Sequence, residues 1–110
     1  MLPIIFYNNF IPKVFKYVGI TLYPFIFLNM SKKEALKTHM LHHELIHFDQ
    51  IKKQGFFKFY YTYLKDFFKL YQKSKNKHYA YRNIPAEKEA YLNQWEYKLP
   101  KKLIEFSKDW

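Results

Sequence analysis

SKKEALKTHMLHHELIHFDQIKKQG, residues Ser31–Gly55, decides how this chain is read. Ser31 stands three residues before Glu34, a capping-box pattern, and the next helix breaker is Gly55, so the spacing predicts one long helix over Lys32–Gln54. Inside it lies His43-Glu44-Leu45-Ile46-His47. Histidines four apart share a helix face and can grip one zinc ion, and a glutamate between them reaches the water that the metal activates and serves as general base in hydrolysis. His39, His43, His47 and Gln50 fall near one stripe, while Leu41, Leu45 and Phe48 form a second that faces a core.

Upstream, Ile4 to Leu28 is rich in Ile, Val, Phe and Tyr and is punctuated by Asn8-Asn9, Pro12, Gly19 and Pro24, which predicts two or three short strands. Pro24 has no N–H for a ladder, so Ile20 to Leu28 reads as an edge strand or two strand pieces. Downstream, Phe56 to Lys73 spaces its polar residues by three and four among Phe, Tyr and Leu, an amphipathic helix with a wide aromatic arc. A core-facing helix is the expectation, and a helix lying on a membrane surface the alternative. Ser74 to Ile84 reads as a polar, lysine-rich loop. A further helix starts at Pro85, with Glu87 and Glu89 at the positive end of its dipole, and is limited near Lys98 by Pro100. The tail Lys101 to Trp110 has room for a short helical turn, with Phe106 and Trp110 as candidate anchors. The expected fold is a single α+β domain over residues 1–110: a small N-terminal antiparallel sheet (1–30), three main helices carrying a metal site (31–98), and a tail (99–110).

With 12 Phe and 11 Tyr in 110 residues, the core must be built largely from rings. The chain has no cysteine, which excludes disulfides, thiolate ligands and thiol nucleophiles, so any metal must use nitrogen and oxygen. A net charge of +10 favours anionic surfaces. Yet Arg82 is the single arginine, which argues against base-specific nucleic-acid readout. Met1 to Asn9 lacks the basic start and cleavage site of a secretory signal, and the uncharged stretch between Lys16 and Lys32 is too short and too broken to span a bilayer. A cytoplasmic protein is expected, with weak peripheral membrane contact left open.

Two histidines need a third protein ligand and an open position for water. Gln50 and Lys53 occupy the places where metzincins carry glycine and their third histidine, and the cysteine ligand of peptide deformylases is absent. A carboxylate remains, and Asn83 to Tyr91 offers Glu87 and Glu89. The His43–His47 motif with Gln50 three residues on, followed by the run Asn83 to Tyr91, resembles the compact gluzincin-type zinc metallopeptidases over roughly Ile20 to Tyr91.

That resemblance implies a zincin-like, minimal gluzincin fold in which Zn2+ is held by His43, His47 and Glu87 and a peptide or protein substrate is hydrolysed with Glu44 as general base. It gives Ile20 to Leu28 the role of an edge strand that binds peptide, and Gln50 a supporting place beside the metal. Many members have aspartate where Tyr91 stands, so a phenol on the same helix face replaces the contact to a ligand histidine. An oxyanion donor is also needed, and among Tyr81, Tyr79, His78 and Arg82 the choice is Tyr81. His39 and His42 stay outside the shell, and Asp49 and Asp66 read as solvated charges. Two competing readings are a catalytically inactive zinc-binding or regulatory module on the same scaffold, and a basic aromatic protein associated with membrane surfaces or nucleic acid.

Overall fold

Four short runs of β-branched and aromatic residues make the sheet: β1 (Ile4–Tyr7), β2 (Gly19–Leu22), β3 (Phe25–Leu28) and β4 (Ile104–Ser107). The computed structural model describes residues 2–14 and 17–107. β2 and β3 form a hairpin about Tyr23 and Pro24, so the predicted Ile20–Leu28 segment is two strands, of which β2 is the edge. β1 lies parallel to β3 on one side and to β4 on the other, giving the order β2-β3-β1-β4. The sheet is therefore mixed rather than antiparallel, and the C-terminal segment expected to form a helical turn supplies one of its strands.

The tail becomes a strand because its alternation fits the pleat. Ile104 and Phe106 share a face, and Phe106 stacks on Phe6 at 5.3 Å between ring centroids. On the opposite face Glu105 accepts hydrogen bonds from Tyr7 Oη at 2.7 Å and Lys32 Nζ at 3.0 Å, which anchor the strand. Trp110, the other expected anchor, lies outside the described residues.

One sheet face, with Ile5, Tyr7, Ile26 and Leu28, is buried against Ala35, Leu41, Leu45 and Phe48 of the helices. A short helix, α1 (Ile11–Val14), follows β1, and the predicted helix over 32–54 is in fact two, α2 (Lys32–Lys37) and α3 (Met40–Gln54). Ser31 Oγ accepts from the Glu34 N–H as the capping box requires. The break is at His39, whose φ of 60° is left-handed and cannot continue a helix. There its ring packs at a tilt against Trp95, 4.2 Å between ring centroids. Gly55, at φ 93°, turns the chain from α3 into α4 (Phe56–Ser74), a conformation that favours glycine. The predicted core-facing role of α4 is slight, since Phe59 is its one buried residue.

Where a loop was expected, Asn76 Oδ1 accepts from the Tyr79 N–H and starts a short helix, α5 (Lys77–Asn83). α6 (Pro85–Asn93) begins at Pro85 as predicted and is capped at Gln94. Among the described residues no helix is long and apolar enough to cross a membrane.

A candidate metal centre between α3 and α6

The middle turns of α3 present His43 and His47 on one face, and the first turn of α6 brings Glu87 against them. All three side chains are buried. Glu87 Oε1 lies 2.9 Å from His43 Nε2 and 3.0 Å from His47 Nε2, and the two Nε2 atoms are 3.2 Å apart. These are the atoms through which the group could hold a metal ion.

The far side of each imidazole decides what the near side offers. His43 Nδ1 is 2.8 Å from Gln94 Oε1, and His47 Nδ1 is 2.8 Å from Gln50 Oε1. An amide oxygen only accepts, so each Nδ1 carries the proton and each Nε2 is left with a lone pair. The Gln50 amide is oriented independently, because its Nε2 donates to Ala86 O at 3.0 Å and to Glu89 Oε1 at 3.1 Å. Tyr63 Oη donates to Glu87 Oε2 at 2.6 Å and so leaves Oε1 for the shared point. With both rings neutral, two imidazole lone pairs and a carboxylate oxygen converge there and none of the three brings a hydrogen of its own. Only a proton or a cation can sit between three such acceptors.

The electrostatics agree. Burial alone would lower the His47 imidazole, but its hydrogen bond to Glu87 and the charges of Glu87 and Glu44 outweigh that and raise it to about 9. Burial would lift the Glu87 carboxyl, yet the bonds from His43 and His47 hold it well below the usual carboxylate range. A proton thus occupies the place that suits a metal. Two nitrogens and one oxygen, with no thiolate, form a donor set that fits a divalent cation of borderline hardness.

Glu44 points from the same helix into a cleft of about 200 Å³ between β2, α4 and α5. Burial raises its carboxyl above the ordinary range, against the pull of the two histidines. Thr21 Oγ1 donates to Glu44 Oε1 at 2.9 Å and fixes the carboxylate. Gly19 makes room for it: a Cβ there would stand 2.8 Å from Leu28 Cδ2 and 3.3 Å from Glu44 Oε2. The other walls are mostly apolar, from Tyr17, Ile20, Leu22, Phe59, Tyr60 and Leu64. Tyr60 Oη donates to Thr21 O at 2.8 Å and ties α4 to the β2 edge.

The structure brings His43, His47, Glu87 and Glu44 together and places Tyr81 on the cleft wall, stacked on Tyr17 at 5.4 Å. Burial and the charge of Glu87 raise the Tyr81 phenol, which keeps its proton. The other residues weighed for that role do not line this cleft: Tyr79 and His78 are exposed, and Arg82 lies over the Tyr91 ring at 4.1 Å. Glu89 is exposed and holds Gln50 rather than joining the triad. Tyr91 packs its ring on His43 at 4.5 Å, while Gln94 makes the hydrogen bond expected of it. Sequence reasoning missed Gln94, Tyr63, Thr21 and Gly19. Of these only Gly19 carried a local signal, as one of two glycines in the chain.

In comparisons with protein families, with curated proteins and with solved structures, the chain shows no match.

Proposed function

We propose that this chain is a zinc-dependent peptidase in which His43, His47 and Glu87 hold the metal and Glu44 is the general base. The observation that carries this reading is the convergence of two Nε2 lone pairs and Glu87 Oε1 beside a carboxylate that faces an open cleft. Two histidines and one glutamate are three protein ligands, the number that leaves a position open for chemistry rather than closing a structural site. Zinc held there would polarise a carbonyl oxygen and bring the pKa of a water towards neutrality.

The chain's own groups do the rest. Glu44, raised by burial, takes a proton from the attacking water and returns it to the leaving amine, both tasks that favour a carboxyl nearer neutrality. Thr21 keeps that carboxylate from turning away. Tyr81, which lines the cleft and hydrogen-bonds Tyr91, would turn its hydroxyl to donate to the developing oxyanion. β2, as the edge strand lining the cleft, offers backbone groups to an extended peptide.

The test compares tag-free wild-type protein with Glu44→Gln, measuring metal content and cleavage of a peptide pool. Both should carry about one zinc per chain, while the variant loses roughly 10²–10⁴-fold in turnover. Zinc in both with no cleavage by the wild type would leave a metal-binding module, and no stoichiometric zinc in either would end the proposal.

A further inference from the structure

α4 is the helix whose side chains the core uses least. Phe57, Tyr61, Leu64 and Phe68 are 85%, 69%, 53% and 58% exposed, although each is large and apolar or aromatic. They recur at intervals of four, three and four, so they line one stripe about 16 Å long at 1.5 Å per residue. On the neighbouring arc Lys58, Lys65 and Lys69 are exposed along the same length. The lysines continue past both ends of the helix, with Lys52 and Lys53 before it and Lys75 and Lys77 after it. Between residues 51 and 80 there are eight lysines and one acidic residue, Asp66.

An aromatic stripe edged by lysines is the pattern of a helix lying in the plane of a membrane interface. We propose that α4 docks this stripe on an anionic lipid surface, its rings entering the boundary between headgroups and chains and its lysines meeting phosphate. The charge distribution selects this occupant. A second copy seated face to face would set one lysine belt against another, whereas anionic headgroups neutralise it. The helix is not apolar enough to cross the bilayer, so it lies on it. Leu64 belongs both to the stripe and to the wall of the cleft. Docking therefore turns the cleft towards the lipid, and on the peptidase reading, which this last step alone requires, the substrates are peptide segments at a membrane surface.

Co-sedimentation with phosphatidylcholine vesicles, with and without phosphatidylglycerol, tests the docking. The wild type should bind the anionic vesicles at least about tenfold more tightly, and high salt should weaken that binding. Replacing the exposed rings together (Phe57→Gln, Tyr61→Gln, Phe68→Gln) should cost about tenfold or more in anionic-vesicle affinity with thermal stability retained. Lys58→Gln with Lys65→Gln and Lys69→Gln should abolish the preference for anionic lipid. Glu44→Gln should bind vesicles like the wild type, so a failure of the peptidase reading leaves this result intact. The proposal is overturned if the wild type ignores vesicles, if the ring variant binds as tightly as the wild type, or if sedimentation shows a dimer that the ring variant abolishes while vesicles stay unbound.

Discussion

Two pairs of histidines lie within nine residues of this chain, and only one of them makes a centre. His39 and His42 have ring centroids 4.6 Å apart, and His43 and His47 have theirs 4.8 Å apart, so separation does not distinguish them. Their surroundings do. His43 and His47 each give the Nδ1 proton to a glutamine oxygen and turn Nε2 towards Glu87. The Nδ1 atoms of His39 and His42 are buried with no hydrogen-bond partner among the described residues, and aromatic rings of Trp95 and Tyr97 flank them. Acceptors behind the ring choose the tautomer, and a carboxylate in front adds a third electron-pair donor for a cation. Without both, neighbouring imidazoles are only packing.

The largest way to break this contrast is at the ligands. His43→Ala and Glu87→Ala should each remove stoichiometric zinc from tag-free protein, a loss well beyond the roughly 10–100-fold that supporting residues contribute, while His39→Ala and His42→Ala should leave it. Elemental analysis after dialysis reads the difference. Next in size are the supports themselves. Gln94→Ala and Gln50→Ala should weaken zinc about 10–100-fold in titrations against a competing chelator, because the imidazole loses the partner that fixes its proton.

The smallest effect is in pH, where His47 of one pair and His42 of the other should respond with opposite sign. In metal-free protein the His47 imidazole sits at about 9, above its ordinary 6.5, so its proton adds stability that is full below about pH 6.5 and is lost as pH rises through 9. His42 is lowered, by burial first and then by the charge of His39, so its contribution fails instead as pH falls below the ordinary histidine range. Thermal melts of the metal-free protein should decline from pH 6.5 to 9, and His47→Gln should flatten that slope. His42→Gln should leave the slope in place and soften the loss on the acid side.

Much of the centre was legible because it is local. His43, Glu44 and His47 share two turns of one helix, and Pro85 marks the helix start that carries Glu87, so spacing and capping sufficed. What the sequence hid is what depends on distant partners. Gln94 meets His43 across 51 positions, and nothing near it marks it as an acceptor rather than a surface amide. β4 is four residues among lysines whose alternation gains meaning only against β1. The break at His39 was invisible for a related reason: the capping and the apolar periodicity run straight through it, and the contact with Trp95 lies 56 positions away. α5 reads as a loop in the sequence because it is polar and rich in lysine and tyrosine, and its start rests on one cap, Asn76.

The register of β4 beside β1 also sets an order of events. Ile4 faces Ile104, so at about 5–20 residues per second of synthesis the first strand waits on the order of 5–20 s for its outer neighbour. The helical segments that carry the histidines and Glu87 have been made before then. Throughout that interval one side of β1 offers unpaired N–H and C=O groups to any strand that reaches it, which makes this flank the place where a nascent chain is most open to pairing with a stranger.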